Sequence, residues 1–322
     1  MAEAHLPKGR RSGQYRRPRR VVDGLLLLDK PSGCTSNQAL QQVKRLYQAG
    51  KAGHTGSLDP LATGMLPICL GQATKVSAFL LDSRKLYRVT AHIGVKTDTG
   101  DADGQVLEQQ QSPALAQDRL LDALEGFRGE IEQVPPMYSA LKQDGRRLYE
   151  LARAGEQVHR EPRRVTIDEL VLEHFDPVNP VFRVRCSKGT YVRTLVEDIA
   201  QACGTLAHVA ALRRLSVEPF DEALMVSMPD LEAAASHGFD ALDSLLRPVD
   251  DALADWPELQ LGRDDAYYLR LGNPVFGAAG RPPGRVRLYG ENHHFLGIGE
   301  ILRDGRIAPR RLFVPAPGAG QG

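Results

Sequence analysis

Residues 53–75 constrain this chain more than any other stretch. They read Gly53-His54-Thr55-Gly56-Ser57-Leu58-Asp59-Pro60-Leu61-Ala62-Thr63-Gly64-Met65-Leu66-Pro67 and run on to Lys75. Glycine reaches backbone conformations that side chains resist, and proline fixes one dihedral outright. A loop built from both, set between apolar runs, holds its side chains still, and rigidly held loop residues are where binding and catalysis concentrate. The loop's one carboxylate, Asp59, stands near His54, Thr55 and Ser57. By itself an Asp-Pro pair is ordinary turn grammar.

The flanking sequence supplies strands and helices in irregular alternation. Residues 25–28 predict a buried strand, and Thr35 or Ser36 caps a helix whose face is Leu40, Val43 and Leu46 or Tyr47. After the loop, residues 65–70 predict a strand and 74–81 a helix. In the strand over 86–93, Tyr87, Val89, Ala91 and Ile93 share one face, and Arg88, Thr90 and His92 the other. Leu120, Leu124 and Phe127 mark another helix, and Phe182, Val184 and Cys186 alternate in a further strand. Thr190 starts a helix through Leu195 and Ile199 that ends near Gly204. No strict βαβ rhythm emerges, so the class is α+β. The polar stretch over 135–164, with Lys142, Arg146, Arg147, Arg153, Arg160, Arg163 and Arg164, has the character of an insertion over the site.

From 220 to 253 the chain turns acidic and rich in Ala and Leu, which predicts helices closing the first domain. Trp256-Pro257 marks a boundary. Short strands over 285–288, 295–300 and 307–314, with a Gly272-Asn273-Pro274 turn before them, predict a small barrel. The expected organisation is a basic tail over 1–22, a main domain over 23–250 holding the insertion, a small β-rich domain over 251–316, and a frayed end over 317–322.

Composition narrows the setting. A chain of 322 residues with 42% hydrophobic content is long enough for two domains with buried cores. Cys34, Cys69, Cys186 and Cys203 are far apart and form no Cys-x-x-Cys pair, which argues against disulfides or a zinc site and for a reducing cytosol. Apolar runs such as 25–28 are far too short to span a membrane, and no segment of signal-peptide length opens the chain. The net charge of +1 hides an asymmetry, because residues 1–20 carry seven basic side chains and one acid. Such a tail reads as a phosphate-seeking arm, with a solubilising extension or a displaced start site as the alternatives. Asp98, Asp101, Asp103 and Gly104 superficially match a calcium loop, but Thr99 and Gln110 stand where an Asp and a Glu are required. His293 and His294, adjacent on a strand, point different ways, which is poor metal geometry.

Five further blocks accompany the Asp59 loop. They are Gly24-Leu25-Leu26-Leu27-Leu28-Asp29-Lys30-Pro31, Lys85-Leu86-Tyr87-Arg88-Val89 and Pro136-Met137-Tyr138-Ser139-Ala140-Leu141-Lys142. The last two are Ser187-Lys188-Gly189-Thr190-Tyr191-Val192-Arg193-Thr194 and Ala207-His208-Val209-Ala210-Ala211-Leu212-Arg213-Arg214-Leu215. In this order, with the loop, they resemble the motifs of the TruB family of tRNA pseudouridine synthases, over about residues 23–217. The resemblance implies an α+β catalytic domain, with a mixed or antiparallel sheet and flanking helices, followed by a small barrel-like RNA-binding domain of PUA type.

It also implies the site. Asp59 is the catalytic carboxylate, Arg193 its cationic partner, and Tyr87 stacks on the target base and takes part in proton transfer. Tyr191 and Leu212 line the base pocket, and His54 fills space beside the target nucleotide. Lys30 with Pro31 shapes the first strand-to-loop turn, and Lys75 and the basic insertion touch phosphates. The reaction is isomerisation of a T-loop uridine, tRNA position 55, after base flipping. It changes no redox state, so neither cofactor nor metal is needed. The implied partner is the T-arm of tRNA, bound by a cytoplasmic monomer without guide RNA or membrane. An enzyme that opens the tRNA elbow is also suited to help misfolded tRNA re-form. The alternative is a non-catalytic tRNA-binding or folding protein, against which intact Asp59, Tyr87 and Arg193 count.

Overall fold

The computed structural model describes residues 19–111, 115–139, 141–143, 145–156, 158–278 and 280–313. The expected basic tail therefore lies outside the described residues as far as residue 18, and so does the expected frayed end.

Four consecutive leucines open the architecture. Strand Gly24–Lys30 buries Leu25, Leu26, Leu27 and Leu28 completely or nearly so. Because side chains alternate across a strand, Leu26 and Leu28 enter one apolar cluster while Leu25 and Leu27 enter another. The sheet is thus covered on both faces. Nine strands form it, along a path that starts at Val226–Ser227 and passes through Gly24–Lys30, Thr63–Leu70, Ala207–Val217 and Lys85–Ile93. It continues through Val181–Cys186 and Arg163–His174 to Gly129–Gln133, with Ala52–His54 pairing beside Thr63–Leu70. The sheet is mixed: Val226–Ser227 runs parallel to Gly24–Lys30, and Ala207–Val217 parallel to Thr63–Leu70.

Helix Ser36–Leu46 opens on a capping box, in which Thr35 accepts from the Gln38 backbone and Gln38 accepts from the backbone of Thr35. Its buried face includes Ala39, Leu40 and Val43, and Tyr47 beyond it donates to the Leu242 carbonyl at 2.7 Å. The helix expected over 74–81 is two pieces, a 3-10 turn Gly71–Lys75 and helix Ser77–Asp82. The helix expected from Thr190 begins instead at Val192, because the Thr190 hydroxyl donates to the Ser187 carbonyl and closes a turn around Gly189 (φ 81°) first. Between Gln133 and Arg163 the chain forms a short hairpin, Lys142–Gln143 with Arg146–Arg147, and helix Leu148–Arg153. Arg163 and Arg164, expected in the insertion, belong to strand Arg163–His174.

Beyond Trp256 a second sheet of five strands forms, of which Gly284–Tyr289, Phe295–Ile301 and Arg306–Leu312 make the antiparallel centre. Helix Arg263–Arg270 packs on it through Ala266 and Leu269. This module does not hang free. Ile298, Phe295 and Phe313 join the apolar layer of Leu25, Leu27, Met65 and Val76 on the back of the large sheet. Among the described residues no helix is long and apolar enough to cross a membrane.

Candidate active site

The Asp59 loop is strapped from below by three side chains. Ser36 accepts from the Leu58 backbone N–H at 2.7 Å and donates to the Leu58 carbonyl at 3.0 Å. Lys30, with no exposed surface, donates to the carbonyls of Pro31, Cys34 and Pro60 at 2.8, 2.7 and 3.3 Å. Arg214, 1% exposed, donates to the carbonyls of Met65 and Gly56 at 2.6 and 3.0 Å. Two glycines make this approach possible. Gly56 and Gly64 have φ of 86° and 97°, and a Cβ on Gly64 would lie 2.2 Å from the Arg214 carbonyl oxygen. The result is a backbone that offers Asp59 outward on a fixed base.

Arg193 meets that carboxylate. It is the second residue of helix Val192–Ala202, and its Nε and Nη2 lie 3.0 and 3.4 Å from the two Asp59 oxygens. The same guanidinium donates to the carbonyls of Thr99 at 2.6 Å and Tyr138 at 2.8 Å, and lies 3.8 Å from Asp101. The Arg193 side chain is 7% exposed while that of Asp59 is 40% exposed, so the arginine lies beneath and the carboxylate faces outward. Surrounding protein still shields Asp59 enough to push its carboxyl above the ordinary carboxylate range. Arg193 and then Lys30 oppose that rise, and Asp101 adds to it.

Two tyrosines face the same place. Tyr87 lies on Lys85–Ile93, opposite Arg214 and Val184 in register. Burial pushes its phenol up, and the positive charge of Arg214 opposes that rise. Tyr191 precedes the Arg193 helix, and its backbone is bracketed by Gln133, which accepts from its N–H at 2.9 Å and donates to its carbonyl at 3.1 Å. Burial pushes the Tyr191 phenol up as well, while Arg163 and Arg193 lower it and Asp59 raises it. Leu212, 8% exposed, stands opposite Val89 in the apolar cluster against which Tyr87 packs. His54 ends strand Ala52–His54, and burial with the cation of Arg214 keeps its imidazole below the usual range. Among the described residues its buried Nδ1 has no hydrogen-bond partner.

The structure thus brings Arg193, Tyr87 and Tyr191 within electrostatic reach of Asp59, with Leu212 on the strand beside that of Tyr87 and His54 on strand Ala52–His54. Two further expected residues make their contacts within the protein. Lys30 is sealed beneath the loop, and its charge acts from there, its amine held below the usual range by burial, with Cys34 and Asp59 opposing. Lys75 turns toward the C-terminal module, donating to the Leu312 carbonyl at 2.7 Å and lying 5.0 Å from the Phe313 ring centre. A cavity of about 250 Å³, lined in part by Phe79, Trp256 and Arg285, opens elsewhere and holds none of the predicted site residues.

Sequence reasoning missed Ser36, Gln133, Arg214 and the loop around Asp101. That loop was weighed only as a metal decoy, yet Asp101, 5% exposed, accepts from Thr99 at 2.6 Å and from the Asp103 N–H at 3.2 Å beside Arg193. The available signal was Gly100, whose φ of 74° and tight packing, a Cβ there lying 2.7 Å from Glu197, mark a close approach to the Arg193 helix.

Residues 44–192 match the N-terminal domain of "TruB family pseudouridylate synthase". Residues 193–254 match the "tRNA pseudouridylate synthase B C-terminal domain", and 257–313 "Pseudouridine synthase II TruB, C-terminal". The fold and its site therefore define a pseudouridine synthase. Proteins named tRNA pseudouridine synthase B from Ectopseudomonas mendocina (strain ymp) and Pseudomonas aeruginosa (strain UCBPP-PA14) are 54% and 53% identical over 300 residues, covering 93% of this chain and 98% of each relative. That of Shigella dysenteriae serotype 1 is 49% identical over 310 residues, covering 94% of this chain and 98% of its own. This chain belongs to the TruB family. Among solved structures, a chain of a Cbf5–Nop10–Gar1 complex superposes with a TM-score of 0.71 at 24% identity, covering 91% of this chain and 85% of that one. A chain of an H/ACA RNP bound to substrate RNA gives 0.70 at 22% identity with the same coverage. These two likenesses carry the fold alone, including the small C-terminal module.

Proposed function

We propose that the chain isomerises uridine to pseudouridine in tRNA, at the T-loop uridine of position 55, with Asp59 as the working carboxylate. The two-point contact of Arg193 with an outward-facing Asp59 carries this reading. It holds a charged carboxylate in one orientation where burial alone would favour the neutral acid. The relatives' shared name, tRNA pseudouridine synthase B, supplies the substrate class.

The reaction breaks the bond from C1′ to N1, turns the base, and joins C1′ to C5. The C5 proton leaves and N1 gains one, so no electron or atom is exchanged with a cofactor. Asp59 offers negative charge to the sugar as its bond to the base breaks. Tyr87 stacks on the base, and its hydroxyl relays the C5 proton; burial keeps the phenol neutral at rest, which suits a relay better than a resident base. Tyr191 and Leu212 wall the base pocket, and His54, held neutral, fills the space the base vacates. Extracting the base from the tRNA elbow costs a few kcal/mol, offset by stacking and phosphate contacts. The protein acts as a monomer, without guide RNA, in the cytoplasm; its four cysteines are unpaired thiols.

Incubating the pure protein with an unmodified tRNA transcript and mapping pseudouridine by chemical labelling tests the reading. A single labelled site at the T-loop uridine is expected. An unlabelled transcript, or label confined to another arm, contradicts it.

A further inference from the structure

Among the described residues Arg214 heads the fully buried side chains by volume, and it lies among three things that the reaction needs held together. It donates to the carbonyls of Gly56 and Met65, the backbone on either side of Asp59, and it stands directly opposite Tyr87 across the strand pair, its charge working against the rise of that phenol. The strand register explains how one side chain reaches all three, because Arg214 pairs with Tyr87 on one side and Gly64 on the other. Gly64 lets the two backbones close to a distance that any Cβ would forbid. The partners named are neutral. A cation buried against two carbonyls and a phenol is a costly way to fill space, since an apolar side chain of the same size would avoid the desolvation penalty. What the guanidinium adds is a rigid fork that fixes several acceptors at once, and a positive charge facing the phenol.

We propose that Arg214 is a positioning residue for the isomerisation, fixing the Tyr87 hydroxyl against the Asp59 loop. It holds the proton relay and the carboxylate in one frame, so that a base seated between them meets both. The proposal rests on the reading of Asp59 and Tyr87 given above. Its charge also opposes the rise that burial imposes on Tyr87 and helps hold His54 neutral.

The test is a double-mutant cycle on the full-length protein with tRNA transcript, reading affinity and single-turnover rate separately. Arg214→Lys keeps the charge and loses the fork. Its tRNA affinity should change by less than about threefold, while the single-turnover rate on bound tRNA falls roughly 10- to 100-fold. In a Tyr87→Phe background the same substitution should cost less than about threefold more, because the two residues act as one unit. A wild-type single-turnover rate in Arg214→Lys overturns the proposal, and so do equal losses in both backgrounds. Asp59→Asn run in parallel separates the two claims. Full activity there overturns the reading of the site, whereas an inactive Asp59→Asn beside independent losses at Arg214 and Tyr87 overturns only the role of Arg214. Where a variant unfolds or turns over too slowly to follow, nitrogen NMR of the Arg214 guanidinium decides. Its resonance should move in Tyr87→Phe relative to wild type, and an unmoved resonance overturns the proposal.

Discussion

Asp59 must stay ionised in a place that disfavours charge. Burial raises its carboxyl above the ordinary value of 3.8, and Arg193 is the largest opposing influence. A group whose folded pKa is raised contributes stability below its unfolded value and loses that contribution as pH climbs through the folded one. At neutral pH the ionised Asp59 is therefore held at some cost to stability, which Arg193 limits. The rate consequence has the same sign. The acid limb of the single-turnover pH profile should lie above 3.8. Arg193→Gln should move that limb upward, besides slowing the reaction. A limb that stays in place when Arg193 is replaced would mean that some other group titrates there.

At the scale of elements, the loop's rigidity comes from outside itself. Ser36 belongs to the first turn of helix Ser36–Leu46, yet its hydroxyl spans the backbone of Leu58 in both directions. Ser36→Ala leaves a buried N–H and carbonyl without their partner. It should lower stability by about 1–3 kcal/mol, measured by urea unfolding. If the strap orients Asp59, the single-turnover rate falls with it while tRNA affinity holds; a stability loss at an unchanged rate would make Ser36 purely structural. The strap also shows what sequence reading reaches. Strand Gly24–Lys30, strand Lys85–Ile93 and the capped helix were legible because each repeats a local period or a local cap. Strand Ala207–Val217, which lies between Thr63–Leu70 and Lys85–Ile93 in the sheet, was legible only as a family block, since His208, Arg213 and Arg214 break the apolar alternation. Those polar residues find partners on other elements, among them the carbonyls of Val95 and Met65 and the carboxylate of Asp29. Asp59 and Arg193 stood out in motifs, whereas Ser36 and Gln133 act through contacts 22 and 58 residues apart and Asp101 through a turn, and no spacing encodes them.

Across the whole molecule, the C-terminal module shares a core with the sheet that carries the site. Ile298, Phe295 and Phe313 join Leu25, Leu27 and Met65, on the strand that follows the Asp59 loop and the strand paired with it. Lys75 fastens the edge through the Leu312 carbonyl. A truncation ending near residue 250 would strip this layer. Ending the chain after Trp256 should therefore lower the unfolding temperature by at least about 5 °C, followed by calorimetry, as well as weakening tRNA binding. An unchanged unfolding temperature would show that the module is a separable grip. The central claim lies in one carboxylate, and one measurement meets it directly: pseudouridine formed in a single turnover on tRNA saturated with Asp59→Asn protein, beside the wild type. The account predicts no detectable pseudouridine from the variant at an affinity within about tenfold, or ~1.4 kcal/mol, of wild type. Pseudouridine formed at the wild-type rate on tRNA bound by Asp59→Asn would contradict it.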